Sequence, residues 1–309
     1  MPKMTEFTFP STNEINTVAA TLWEPDGEPR AVLQICHGMS EHIGRYRWFA
    51  EQMTARGFVV CGDDHLGHGR TAPSAEELGY FGPKNGYIHM MEDEHGLRTE
   101  LQKRYPDLPY FLLGHSMGSF LTRFYVSRHG EGLNGYLCCG TAGKNRLVKV
   151  AIFLSNVMIL FRGGKRRGKL LDKLAFKDYN KNFENVVTGH EWLSRDTEVY
   201  RPFADDPFSG FVFTNAGFRD LFHLLDAVTG RKWSDRIPRE LPIILLSGDA
   251  DPVGNNGQGV REVCGWLEAS GIKDLSLKLY PGARHELHNE LNREEFVNDV
   301  TAWMENRMG

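Results

Sequence analysis

The stretch "LLGHSMGSF" (112–120) sets Ser116 between Gly114 and Gly118, directly behind a run of apolar residues and ahead of the helical pattern "MGSFLTRFYVSRHG". Glycine packs poorly and costs backbone entropy, so two of them flanking one small hydroxyl need a steric reason. A G-x-S-x-G turn from a buried strand into a helix supplies it. The turn is tight, side chains at 114 and 118 would strike the neighbouring strand and helix, and the hydroxyl stands clear at the start of a helix whose dipole faces it.

A serine hydroxyl attacks a carbonyl only if a base takes its proton, and that base needs an orienting carboxylate. In enzymes with this turn the chain order is serine, acid, histidine. Downstream, "IILLSGDADPVG" places Asp249 and Asp251 just past one apolar run, and "LKLYPGARHELHNE" places His285 and His288 just past the next. Ends of neighbouring strands converge on one edge of an open sheet. Asp251, in a loop stiffened by Pro252, is the preferred acid, and Asp249 is expected to accept amides of the turn. His285, in a loop containing glycine, is the preferred base; His288 is expected to cap the last helix or lie on the surface. The developing oxyanion needs two amide donors. Met117, after the serine, offers one, and the loop "HGMSEHIGRY" after "AVLQIC" offers Met39, with Gly38 permitting the turn.

Apolar, β-branched runs recur at 18–23, 31–36, 57–62, 109–114, 135–140, 242–247 and 275–280. From 31 onward they are nearly continuous rather than alternating, as strands buried on both faces of a parallel sheet require. Helical patterns at 45–57, 92–106 and 292–308 fall between or after them, the last with Phe296, Val300 and Trp303 on one face. This alternation predicts a three-layer α/β sandwich. It breaks from about 141 to 240, where no strand-like run occurs. An inserted, mostly helical cap (141–240) is therefore expected within a core formed by 1–140 and 241–309.

The 309 residues suffice for a large domain with an insertion. A net charge of −4 gives no reason to expect nucleic acid as a partner. The start carries Glu6 and no apolar core of a secretory signal, and the longest apolar run, 150–161, is far shorter than the roughly 20 residues of a membrane-spanning helix. A cytoplasmic location is expected. Five cysteines without a repeated spacing read as small buried hydrophobes. His65 and His68 in "DDHLGHGRT" have a spacing seen in some metal sites, but no third ligand accompanies them, and a hydrogen-bonded turn is expected instead, with no metal.

Five stretches in order carry a resemblance. "ICHGMSEHIGRY", "DDHLGHGRT", "LLGHSMGS", "SGDADPVG" and "PGARHELHNE" are similar to the oxyanion loop, the D-H-x-G-H-G segment, the elbow, the acid loop and the histidine loop of the monoacylglycerol lipase and lysophospholipase branch of the α/β-hydrolase superfamily. In the cap, "LSRDTEVYRPFADDPF" is similar to that family's S-R-D stretch. The resemblance covers nearly the whole chain. It implies an α/β-hydrolase fold, a mostly parallel eight-stranded sheet flanked by helices, with an inserted helical cap. It also implies Ser116 as nucleophile, Asp251 as acid, His285 as base, Met39 and Met117 as oxyanion donors, and no cofactor. The chain departs from the family at Met39 and Ser40, where a small residue and often glycine are usual, which bears on acyl length.

The expected activity is hydrolysis of a small, partly apolar ester such as a monoacylglycerol. A lysophospholipase or a broad carboxylesterase is the alternative; a thioesterase, an aminopeptidase or a ligand receptor of the same build ranks below them. Residues 143–170 hold eight basic residues and no acidic one, on either side of the apolar run. The run is expected to pack down over the site; the competing expectation is transient docking on an anionic lipid surface, where each basic residue contributes about 1 kcal/mol. Oligomeric state is left open.

Overall fold

A computed structural model describes residues 3–308. Eight strands form one sheet: β1 (Lys3–Pro10), β2 (Thr17–Glu24), β3 (Ala31–Cys36), β4 (Phe58–Asp64), β5 (Tyr110–His115), β6 (Gly135–Cys139), β7 (Ile243–Gly248) and β8 (Leu275–Tyr280), in the order β1-β2-β4-β3-β5-β6-β7-β8. β2 runs antiparallel to both neighbours and all pairings from β4 to β8 are parallel. β3 to β7 are buried along their whole length, which is why their sequences do not alternate. β1 does alternate in exposure, as an edge strand solvated on one face must, and it lies outside the seven runs read from the sequence.

Flanking the sheet are α1 (Arg47–Thr54), α2 (Gly86–Arg104), α3 (Met117–His129), α8 (Gln258–Ala269) and α9 (Arg293–Glu305). α2 starts six residues earlier than the sequence pattern suggests, because Asn85 adopts a left-handed turn (φ 58°) that launches it at Gly86. α9 buries Phe296, Val300 and Trp303, the three residues of its expected face, together with Val297 and Met304. Burying such side chains contributes about 1.5–3 kcal/mol each.

Between β6 and β7 lie only helices and loops among the described residues: α4 (Val148–Arg162), α5 (Lys169–Phe176), α6 (Thr197–Asp205) and α7 (Asn215–Ala227). α7 packs against α2 and α3, and its Phe218, Leu221 and Leu224 join the apolar cluster of the main body. α4 lies on α7, with Val148 in the same cluster and Ala151, Ile152 and Leu154 packed against it. It buries Val148 and Ser155, whereas Leu147, Val150, Phe153, Leu160 and Phe161 are exposed, so the apolar run packs down only in part.

The start of this insertion and the end of α7 meet at Arg123 on α3. Its buried guanidinium donates to Ala142 O (2.9 Å), Thr141 Oγ1 (3.2 Å) and Val228 O, and lies 4.5 Å from the Trp233 ring centroid. No carboxylate lies within ion-pairing distance of it among the described residues; carbonyl dipoles and an aromatic face take that place.

Candidate active site

Ser116 ends β5 and caps α3 with φ 55° and ψ −121°, a conformation that non-glycine residues adopt at a cost of order 1–3 kcal/mol. The turn closes so tightly that a Cβ at Gly118 would lie 2.0 Å from Cys36 O, and one at Gly114 would lie 2.1 Å from Thr122 Oγ1. The steric reason for both glycines is therefore physical contact with β3 and α3.

Asp251 is fully buried beyond β7, its Oδ1 accepting from Val253 N (2.9 Å) and its Oδ2 facing His285 Nδ1 at 2.9 Å. Asp249 instead accepts from Gly282 N (2.6 Å), which places it in the turn. The other imidazole nitrogen of His285, Nε2, is buried and without a hydrogen-bond partner, so Ser116 Oγ does not engage it in this state. Such bonds tighten when substrate binds. The two residues are neighbours through shared supports. Ser116 N donates to Cys139 O (3.0 Å), a Cβ on the adjoining Gly140 would lie 3.1 Å from His285 Cε1, and His115 Nε2 is 3.2 Å from His285 O.

The first amide of α3, Met117, has no intrahelical partner, as any helix start leaves it. Gly38 packs so close that a Cβ there would lie 3.1 Å from Ser116 Cβ, which sets the loop that carries Met39 beside the serine. Met39 packs half-buried against the main apolar cluster. Ser40, the other departure from the family pattern, is held at φ 54° by hydrogen bonds across to the insertion: Ser40 Oγ to Phe211 O (2.7 Å) and Gly210 N to Ser40 O (2.9 Å).

Behind these residues lies a buried polar network that the sequence reading used only for its amides. Glu41 accepts from Gly38 N and Tyr46 Oη (2.9 Å) and pairs with Arg45 (2.6 Å), which also grips Glu286 in a two-pronged ion pair (2.6 and 2.7 Å). Burial alone would raise the Glu41 carboxyl, but the His115 hydrogen bond and the Arg45 charge hold it well below its ordinary range. Burial likewise works against a charged His115, and Glu41 outweighs it, raising the imidazole. The signal was present as three polar residues, Glu41, Arg45 and Tyr46, crowded into one loop of the oxyanion segment.

His288 departs from expectation. It is buried in the short turn Leu287–Asn289, stacked on Tyr46 at 4.3 Å between ring centroids. Burial and the neighbouring His115 charge push it down to about 3. His68 is also held at about 3, by burial and the His65 charge. Groups neutral in the fold and protonated when unfolded contribute stability that is complete above pH 6.5 and is lost as pH falls from there toward 3. The expected outcome for His288→Asn is a shallower acid limb, by about 1.4 kcal/mol per pH unit between pH 6 and 4, in urea melts followed across pH.

The "HLGHG" pair separates. His68 Nδ1 turns to Leu66 O (3.0 Å), the turn hydrogen bond expected, while His65 Nδ1 lies 3.1 Å from both Asp63 Oδ1 and Glu94 Oε1. Two acidic groups thus do accompany His65, contrary to the reading of the motif alone, because Glu94 arrives from α2. The three form a fully buried cluster in which two carboxylates flank one imidazole nitrogen. Burial and the Glu94 charge raise Asp63 to about 7, and the carboxylates lift His65 against the effect of burial. Its Nε2 reaches His37 O at 3.2 Å and its ring stacks on His37 at 3.9 Å, so the cluster buttresses the oxyanion loop from below.

The family described as serine aminopeptidase, S33 (Hydrolase_4) matches residues 27–292. The chain belongs to this α/β-hydrolase family. Among its relatives, a monoacylglycerol lipase of Mycolicibacterium smegmatis is 29% identical over 287 residues, covering 92% of this chain and 91% of the relative. A phospholipase, YtpA, of Bacillus subtilis is 36% identical over 289 residues, covering 91% and 97%. A thermostable carboxyl esterase of Bacillus coagulans, solved with glycerol, superposes with a TM-score of 0.93 at 34% identity over 99% of both chains. This member of the family thus has the expected fold, and its eight-stranded sheet carries the same core as an esterase.

Proposed function

We propose that the protein is a serine hydrolase of carboxylic esters acting on monoacylglycerol or a similar monoacyl lipid. The observation that carries this reading is the buried Asp251–His285 pair, whose Nε2 has no partner and whose ring lies beside Gly140, next to the Cys139 carbonyl to which the strained Ser116 turn is hydrogen-bonded. Ser116 Oγ attacks the ester carbonyl as His285 Nε2 takes its proton. Asp251 holds the imidazole by Nδ1 and stabilises its charge. The oxyanion settles on the amides of Met39 and Met117. His285 returns the proton to the departing glycerol oxygen, and a water activated by the same nitrogen releases the fatty acid. Relatives named as lipase, phospholipase and esterase support ester chemistry, and glycerol bound in the Bacillus coagulans esterase suits a glyceride leaving group.

Hydrolysis of monoacylglycerol, lysophospholipid and p-nitrophenyl esters of increasing chain length tests the reading. Monoacylglycerol is expected to give the highest kcat/KM, with labelling of Ser116 by a fluorophosphonate. A preference for lysophospholipid would favour the phospholipase reading, and amide cleavage alone would refute both.

Residues 141–240 serve as the cap through which substrate enters. α4 presents Val150, Phe153, Leu160 and Phe161 to the outside, and Lys144, Arg146, Lys149, Arg162, Arg166 and Lys169 flank them. Two of the eight basic residues are otherwise engaged, Lys165 with Glu77 and Arg167 with carbonyls at 78 and 212. This face docks transiently on anionic lipid. No helix of the described residues is long and apolar enough to cross a membrane. Five buried free thiols suit a reducing, cytoplasmic setting. In vesicle sedimentation the wild type is expected to pellet more with anionic than with neutral vesicles, and Phe153→Asp to lose that binding while keeping its activity on a soluble ester. Equal pelleting on both vesicles ends the docking reading.

A further inference from the structure

We propose that the cap segment 191–195, locked onto the buried carboxylate of Glu290, positions His285, so that Arg195 and Glu290 are positioning residues for the proton-transferring imidazole. The inference rests on His285 acting as the base. Asp251 fixes the rotation of the imidazole through one hydrogen bond, but the backbone that carries the ring is a loop between β8 and α9, and something must hold that backbone.

The cap holds it on both sides of the histidine. Before it, the Arg284 amide donates to Glu290 Oε1 (2.8 Å), and the Arg284 guanidinium donates to Glu191 O and Ser194 O (3.0 Å). After it, the Glu286 amide donates to Leu193 O (2.8 Å) and Ser194 Oγ donates to Asn289 O (2.9 Å). Glu290 is the hub. Its side chain is fully buried, Oε1 also accepts the Arg195 amide (3.1 Å), and Oε2 accepts the Leu291 amide and Arg195 Nε, both at 2.9 Å. Arg195 Nη2 then reaches Asn292 Oδ1 at 2.8 Å. One carboxylate thus gathers the residue before His285, the cap and the lead-in to α9. The same segment sets Trp192 against the imidazole, 5.0 Å between ring centroids, where it shields the ring from water.

A buried carboxylate with three backbone amides keeps most of its hydrogen bonds when its guanidinium partner is removed, so loss of Arg195 loosens the joint while the amides still hold the carboxylate. A misplacement of the base by about 1 Å costs on the order of 10²-fold in rate. The cap is on this account part of the catalytic frame: its 191–195 segment is fixed to the histidine loop.

The test compares Arg195→Met, Arg195→Lys and wild type by fluorophosphonate labelling rate at Ser116, by kcat and KM on a soluble ester, and by the downfield proton resonance of the His285–Asp251 hydrogen bond. Arg195→Met is expected to label about 10²-fold more slowly, to lose kcat with little change in KM, and to broaden that resonance. Arg195→Lys, which keeps a charged donor for Glu290, is expected to recover most of the rate. A variant that melts earlier yet keeps wild-type labelling, kcat and resonance would overturn the proposal. Should Arg195→Met fail to fold, Ser194→Ala, which removes the bond to Asn289 O and an acceptor of the Asp196 amide within the cap, decides by the same readouts, and an unchanged kcat and resonance again overturns it. A wild type that does not label at all refutes the hydrolase reading instead, while the resonance still reports on whether the clamp holds the ring.

Discussion

Ser116→Ala is expected to lower kcat by about 10⁶-fold while leaving the fold and melting temperature close to wild type. The substitution keeps the Cβ and removes one half-buried hydroxyl that makes no hydrogen bond among the described residues, so little structure depends on it. The strained turn around it is held by Ser116 N to Cys139 O and by the fit of Gly114 and Gly118, none of which involves Oγ. Activity and stability should therefore separate cleanly. Residual turnover from the oxyanion amides and the binding site is expected at about 10³–10⁴ over water. A variant with substantial residual kcat would place the nucleophile elsewhere.

The second large effect concerns the two aspartates of one loop. Asp251→Asn is expected to cost about 10⁴-fold in kcat, because an amide facing His285 Nδ1 donates where a carboxylate accepts and forces the tautomer that cannot take a proton at Nε2. Asp249→Asn should retain wild-type kcat, since the only hydrogen bond of its carboxylate among the described residues is from Gly282 N in an exposed turn, and an asparagine oxygen accepts equally well. Parallel kinetics of the pair check the assignment: similar losses in both, or the larger one at Asp249, would reverse it.

How far the sequence could be read depended on how local each cause was. The Ser116 turn is dictated by residues within a few positions of one another, so its glycines announce it. The pairing of Asp251 with His285 follows from two adjacent parallel strands ending on one edge, a topological fact that the run of buried strands already implied. β1 escaped because its alternation is that of a one-sided edge strand, not of the apolar runs sought. The Asp63–His65–Glu94 cluster and the Glu290 hub escaped for a different reason. Each is closed by a residue from another element, and nothing in the spacing of "HLGHG" or "HELHNE" indicates which distant chain will arrive. His288 looked like a surface residue because histidine near a helix start usually is one; stacking on Tyr46 made burial affordable there.

Arg123 has a bearing on how this enzyme class diversifies. A single guanidinium touches carbonyls at the point where the insertion leaves the body and at the end of α7, and it binds backbone oxygens, which every amino acid provides. Such a joint is indifferent to the sequence it secures. Chimaeras that splice a foreign lid between these two carbonyls should assemble on this scaffold as long as position 123 stays arginine and the 191–195 segment that holds the histidine loop is retained, which makes the junction a natural seam for exchanging substrate preference.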